Sequence, residues 1–315
     1  MNLALAALAT TASWSALTPA TASLAADAAS TSAERSHALR GALGTYGRGI
    51  INFVPEGLSD GKEAAVDLKR LLSQLVDIKA KTYIWEIWRS PSDWDDLKVF
   101  LPLARQHGIA VWVEIMPHMT RPASKPFGSD CDRWATEIAK LSLKEPNLAA
   151  WGIDDFTNDL RRYGSPRTYT PAVVRQFVEK ARAINPRLAF IPCCYYPQLT
   201  AAFARDYRGL IDGVLFPYRH ESAGANLTDP SLVETEVKAI KEALGPSVPV
   251  IFTFYATAHS RLGSTTPEYV RQVMIAGRRC SDGLIVYCHQ DPERSPEKYR
   301  IIKELFAKWS AEENK

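Results

Sequence analysis

From Tyr46 onward the chain repeats one unit eight times: a short run of β-branched and aromatic residues, then a longer stretch of helical period. The runs are Gly49-Val54, Lys81-Trp88, Ala110-Met116, Ala149-Asp155, Ala189-Tyr195, Gly213-Tyr218, Val250-Tyr255 and Leu284-His289. Successive runs begin 24 to 40 residues apart, enough for a strand, a helix and two loops. Between them, Ala64-Ile78, Cys131-Leu143, Pro171-Ile184, Ser231-Leu244, Pro267-Gly277 and Glu297-Trp309 place apolar residues three and four apart, as helices covering a sheet must. Eight such units fit an α/β fold with a single-domain (β/α)8 barrel, which takes roughly 250 residues. A doubly wound open sheet would carry a Gly-rich phosphate turn after its first strand, and Phe53-Val54-Pro55-Glu56-Gly57 is not one.

Composition narrows the functional classes. With 46% hydrophobic and 23% charged residues the chain reads as a soluble globular protein. Its 38 basic and 35 acidic side chains give a net charge of +3 and no basic stripe, so nucleic acid is not an expected partner. Residues 1–25 carry no charged side chain and end Ser23-Leu24-Ala25, with small residues where a signal peptidase reads. The expected organisation is therefore an export signal over 1–25, an N-terminal extension over 26–45 and a barrel catalytic domain over 46–315. The expected location is secreted or periplasmic. Thr18 and Pro19 interrupt the apolar leader, so no membrane association is expected once it is removed. Cys131, Cys193, Cys194, Cys280 and Cys288 contain no CxxC pair, which argues against structural zinc; one disulfide is left open. Cys193 and Cys194 read as small buried hydrophobes.

A barrel of this kind keeps its chemistry at the carboxyl ends of its strands. Asn52 is expected to end the first strand and Glu86, Trp88 and Arg89 the second. Glu114 and His118 end the third, Asp154 and Asp155 the fourth. Tyr195 and Tyr196 follow the fifth, and Tyr218, Arg219 and His220 the sixth. Tyr255 and His259 follow the seventh; Tyr287, His289, Gln290 and Asp291 follow the eighth. In Ala110-Met116 the residues Val111, Val113 and Ile115 share the helix-facing side, which turns Glu114 inward. In Trp151-Phe156 the bulky Trp151 and Ile153 face out, so Gly152 and Asp154 point in. Glu86 follows Trp85 in mid-strand and its facing is open. Two carboxylates on adjacent strands cannot both ionise freely; one pKa rises, and that group becomes an acid while its partner stays charged.

The stretch Pro146-Asn147-Leu148-Ala149-Ala150-Trp151-Gly152-Ile153-Asp154-Asp155-Phe156 resembles the fourth strand of barrel glycoside hydrolases and their uncharacterised secreted relatives. Two better-defined patterns are absent: the Asn-Glu pair of the large retaining clan is replaced by Asp154-Asp155, and DxxDxDxE is missing. The resemblance implies a glycosidase, and strand-end position and alternation offer Asp154, Asp155 and Glu114 as its catalytic carboxylates. Asn52, Glu86, Trp88, His118, Tyr196, Tyr218, Arg219, Tyr255 and His289 are then placed to hold a carbohydrate substrate, since aromatic rings stack on sugar faces. No cofactor is implied. Asp154 and Asp155 also suit a helix cap or an ion pair with Arg161 or Arg162. A rival chemistry uses His118, His220, His259 and His289 with an aspartate to bind a metal for hydrolysis or deacetylation. Against it, the first strand lacks a His-x-His pair and HExxH is absent. A third reading is a glycan-binding barrel without catalysis.

Overall fold

In the computed structural model, residues 31–47, 52–53, 65–88, 90–116, 124–158, 169–259 and 261–313 are described. Helix α1 (31–39) leads into β1 (Leu43–Tyr46). There follow β2 (Asn52–Phe53), β3 (Ala65–Val66), α2 (Leu68–Asp77), β4 (Thr82–Ile87), α3 (Asp93–Gln106), β5 (Ala110–Ile115), α4 (Cys131–Lys144) and β6 (Leu148–Ile153). The second half runs α5 (Pro171–Ile184), β7 (Ala189–Phe190), α6 (Ala201–Asp206), β8 (Val214–Tyr218), α7 (Val233–Leu244), β9 (Val250–Tyr255), α8 (Pro267–Cys280), β10 (Gly283–Tyr287) and α9 (Pro296–Glu313). All eight strands of the main sheet are parallel, in the order β7-β6-β5-β4-β1-β10-β9-β8. The outer strands meet where Cys193 bridges Leu215, with the Cys194 N–H donating to the Leu215 carbonyl at 2.8 Å. The fold is a (β/α)8 barrel, as the eightfold alternation requires.

Helix starts follow local chemistry. Asp67, Asp130, Thr170, Thr200 and Thr266 each accept a backbone N–H three residues on, and Pro171 and Pro267 occupy first-turn positions with no N–H to lose. The barrel bore holds Ile84, Trp112, Ala150, Leu215, Ile251 and Ile285, while a second, larger core lies between strands and helices. Period-two alternation in each strand feeds both cores. Among the described residues no helix is long and apolar enough to cross a membrane.

One strand expectation is corrected. The first barrel strand is Leu43–Tyr46, paired to both β4 and β10, whereas Asn52 and Phe53 pair antiparallel with Val66 and Ala65 in a separate two-stranded sheet. The slot beside β4 accepts Gly44 because any Cβ there would lie 1.7 Å from the Thr82 carbonyl oxygen. The structured body also begins earlier than an extension over 26–45 implies. Leu39 and Ala42 belong to the bore cluster, and Arg35 donates to Asp212 at 2.8 Å. Arg182 holds the same carboxylate, and the Asp212 side chain is fully buried between them.

Candidate active site

The pocket that matters opens at the carboxyl ends of the strands. It is lined by Tyr46, Asp154, Asp155, Cys193, Tyr195, Arg219, Tyr255 and Tyr287 among others. Its floor follows from register. Glu86, Glu114 and Gly152 stand side by side on β4, β5 and β6, one inward position above Ile84, Trp112 and Ala150. Asp154 lies one inward position higher still. Alternation thus settles Glu86, whose facing the sequence leaves open: it points into the bore with Glu114. Gly152 stays small because a Cβ would lie 2.1 Å from the Ile191 carbonyl oxygen.

A carboxylate oxygen of Glu114, one of Asp154 and the Cys193 sulfur lie within 4.8 Å of one another. Glu114 is only 2% exposed, and among the described residues neither of its carboxylate oxygens meets a donor in hydrogen-bonding geometry. Burial first, then the neighbouring Asp154, pushes its pKa well up, against a smaller opposing pull from the Tyr46 hydroxyl. Asp154 is partly exposed to the pocket. Its pKa is also pushed well up, by desolvation and then by Asp155 and Glu86, while the Asp155 N–H at 2.8 Å and the Cys193 thiol pull the other way. Cys193 is buried and its thiol is pushed well above its ordinary range by the same desolvation. The pair therefore retains a proton where exposed carboxylates have lost theirs.

Asp155 adopts φ +48°, a left-handed conformation uncommon outside glycine, which brings its side chain onto the pocket wall. There the Tyr195 hydroxyl and the Asn158 amide at 3.1 Å both donate to its Oδ1. The Arg219 guanidinium carbon sits 4.0 Å from the centre of the Tyr195 ring, and Arg219 is ion-paired with Glu221. On the same lining, the rings of Tyr46 and Tyr287 lie 4.8 Å apart, those of Tyr287 and Tyr255 5.0 Å apart, and His259 packs edge-on against Tyr255 at 5.4 Å.

Of the residues expected from sequence, Asp154, Asp155, Arg219 and Tyr255 line this pocket. Glu114 stands beside Asp154, buried and outside the lining. Glu86 and Trp88 close β4 without lining the pocket. Four expectations are corrected. Asn52 is on the small antiparallel sheet rather than a barrel strand. Tyr218 is fully buried on the helix side, its hydroxyl donating to the Asp229 carbonyl at 2.8 Å, because Pro217 on β8 and Arg219 just beyond it take the pocket-facing positions. Tyr196 packs against the outer core, and its neighbour Tyr195 faces the site instead. His289 is buried, with Nδ1 bonded to Thr45 Oγ1 and Nε2 to Gln74 Oε1, both at 2.9 Å, and its pKa is lowered to about 4 by burial.

His118, Arg89, Arg161 and Arg162 lie outside the described residues. His220 is held in its own loop by Asn226 at 3.0 Å and Asp229 at 3.2 Å. The rival histidine metal site is thus not assembled among the described residues. All five cysteines are free thiols. Tyr46, Cys193, Tyr195 and Tyr287 also line it, with Asn158, Pro217, Thr253, His259 and Arg261. Parity along Ala189, Ile191, Cys193 and Tyr195, all in the bore cluster, is the sequence signal that selects two of them.

The fold and this strand-end pocket define a (β/α)8 barrel of the architecture that glycoside hydrolases share. No family model and no curated protein matches the chain. Solved structures do. A GH5_18 protein of Streptomyces cattleya, solved with GlcNAc, superposes with TM-score 0.60 at 12% identity over 86% of this chain and 81% of that one. The β-glucuronidase 2 of Bacteroides uniformis gives 0.55 at 13% identity over 79% of this chain. This chain spans only 30% of that enzyme's length. The cellulose synthase subunit Z of Clostridioides difficile gives 0.54 at 11% identity over 84% of this chain and 99% of that one. At such identities the likeness is one of fold.

Proposed function

We propose that the protein is a glycosidase in which Asp154 protonates the leaving oxygen of a glycosidic bond. The observation that carries this reading is the pocket-facing Asp154 carboxyl, backed within 4.8 Å by buried Glu114 and bonded to the backbone of Asp155. A general acid must hold its proton near neutral pH, and the desolvation and like charge around Asp154 do that. Glycoside hydrolysis needs a second carboxyl group, as nucleophile or as base for water. Asp155 is the other carboxylate on the pocket lining, and Tyr195 and Asn158 fix its orientation. Glu114 is too buried to reach a sugar; it acts through Asp154 by sharing its proton. The Tyr46–Tyr287–Tyr255 wall supplies ring faces for a carbohydrate. The uncharged leader fits an exported enzyme acting on an external glycan.

A second reading draws on the Glu114, Asp154 and Cys193 cluster, whose donor atoms lie close enough together to bind a divalent cation. One experiment separates the two. The wild-type chain and Asp154→Asn are assayed on plant, bacterial and fungal polysaccharides, with and without EDTA, and products are resolved by chromatography. Sugar release that survives EDTA and collapses in the variant is the expected result. Loss with EDTA would transfer the chemistry to a metal. Undiminished release by Asp154→Asn would remove Asp154 from the mechanism.

A further inference from the structure

We infer that the pocket floor binds one thiophilic divalent cation, of the zinc class, through Glu114, Asp154 and Cys193. Under the glycosidase reading, on which its functional consequence rests, the occupied site is an off state rather than a catalytic centre. The three side chains come from neighbouring segments already locked to one another. The Asp154 N–H donates to the carbonyl of Ile115, the residue after Glu114, at 2.9 Å. The Cys193 N–H donates to the carbonyl of Ile153, the residue before Asp154, at 3.0 Å. Ligands on fixed backbone are what a precise metal site needs. Their donor atoms lie within 4.8 Å of one another. Around one tetrahedral zinc, with bonds of about 2.0–2.3 Å, such donors stand roughly 3.3–3.6 Å apart. The difference, at most about 1.5 Å, is within reach of side-chain rotation.

Glu114 is what points to a ligand. Its side chain is 2% exposed, and among the described residues both of its buried oxygens go without a donor. The Tyr46 hydroxyl is felt there but stands outside hydrogen-bonding geometry. The charged groups that act most on Glu114 and Asp154 are other carboxyls, Glu86 and Asp155 among them, and not a lysine or arginine. A cation supplies what such a cluster lacks, since buried carboxylates need a partner. Asp154 is oriented to share it: Oδ1 accepts the Asp155 N–H at 2.8 Å, and the other oxygen remains for the metal. Asp154 and Cys193 lie on the pocket lining, which gives the ion an entry path and leaves a fourth position for water. A thiolate among carboxylates selects zinc or cadmium over magnesium or calcium, which prefer oxygen alone. On binding, the thiol proton and any carboxyl proton pass to solvent, and no atom changes oxidation state. Asp154 then has no proton to give a leaving oxygen.

The test uses the full chain, stripped with EDTA and then dialysed free of it. Zn2+ is titrated calorimetrically, and Co2+ by absorbance, where a cobalt–thiolate charge-transfer band reports the sulfur bond directly. A single equivalent is expected, with Mg2+ and Ca2+ weaker by at least about a hundredfold. Cys193→Ser should abolish the band and weaken Zn2+ by at least about tenfold. Asp154→Asn, at a partly exposed position, should weaken Zn2+ to a similar extent with the far-UV spectrum unchanged. Cys280→Ser, outside the cluster, should alter neither readout. Zn2+ should also inhibit glycan release with the midpoint of its binding, and EDTA should restore it. Absence of binding, a band untouched by Cys193→Ser, or equal affinity for Mg2+ would overturn the inference. Binding with these variant effects but no glycan cleaved would leave the site standing and overturn the glycosidase reading. Cleavage that a filled site does not slow, or that depends on added Zn2+, would keep the site and overturn the off state.

Discussion

Replacing Glu114 by glutamine isolates the proton that the buried pair retains. The side chain is 2% exposed and an oxygen of it lies within 4.8 Å of Asp154. Two full charges at that separation would repel by about 3–4 kcal/mol at an effective dielectric constant of about 20. In the unfolded chain a glutamate ionises near pH ~4.3, but in the folded chain its pKa is raised. As pH climbs from there, the unfolded state releases a proton that the folded state keeps. Stability therefore falls with rising pH, by up to about 1.4 kcal/mol per pH unit for each such proton, until the raised pKa is passed. The substituted amide has no proton to retain, and Asp154 loses a neighbour that resists its ionisation. Urea unfolding followed by tryptophan fluorescence from about pH 4 to 8 is the assay. Wild type and variant should agree within about 0.5 kcal/mol at the acid end. At the alkaline end Glu114→Gln should be the more stable by roughly 1–3 kcal/mol, bounded above by the repulsion just given. Parallel curves, or a variant that is weaker at pH ~8, would refute a proton held between these residues.

Other outcomes follow from single contacts. Tyr195→Phe removes the hydroxyl that donates to Asp155, a bond to a charged group worth about 1.5–3 kcal/mol; turnover of whichever glycan is cleaved should fall roughly ten- to hundredfold with the far-UV spectrum unchanged. Gly152→Ala drives a methyl group against the Ile191 carbonyl oxygen and should cost about 3 kcal/mol or more in denaturant unfolding. Asp212→Asn leaves Arg35 and Arg182 buried without their carboxylate, and a loss of about 3–5 kcal/mol is expected by the same method. His289 has a folded pKa of about 4, below its unfolded value, so its contribution is present above pH ~6.5 and lost as pH falls toward 4. His289→Gln should flatten that acid limb by up to about 3 kcal/mol, and an imidazole NMR resonance titrating near pH ~6.5 would contradict the buried, doubly bonded ring.

Where a strand alternates cleanly, its facing is legible from residues alone. The outward Val111, Val113 and Ile115 turn Glu114 inward, and the outward Trp151 and Ile153 turn Asp154 inward. Parity misleads only where it is not carried through. Val214, Phe216 and Tyr218 share one face, so Tyr218 has to join the helix-side core. Along β7 regular pairing ends after Phe190, which hides the inward series through Cys193 to Tyr195. The first strand is obscured for a different reason. Leu43-Gly44-Thr45-Tyr46 is short and contains a glycine, so propensity favours the richer β-branched run beside it, while the slot between β4 and β10 demands the smaller residue. The histidines mislead because position at a strand end says nothing about partners. Thr45 and Gln74, far from His289 in sequence, are what take up its nitrogens.

The placement of β1 also governs the order in which this polypeptide can finish folding. Leu43–Tyr46 has one neighbour nearby in the chain, β4, but its other neighbour is β10, the last of the eight described barrel strands to be made. During synthesis at about 5–20 residues per second, one edge of β1 waits on the order of tens of seconds for its partner. Until Leu284 and its neighbours emerge, that edge offers open N–H and C=O groups to any strand that passes. The final fifth of the chain thus acts as a built-in clasp. A truncation after β9 would lose a single strand and two helix-length segments of sequence, yet would leave behind an adhesive open ladder rather than a slightly smaller barrel.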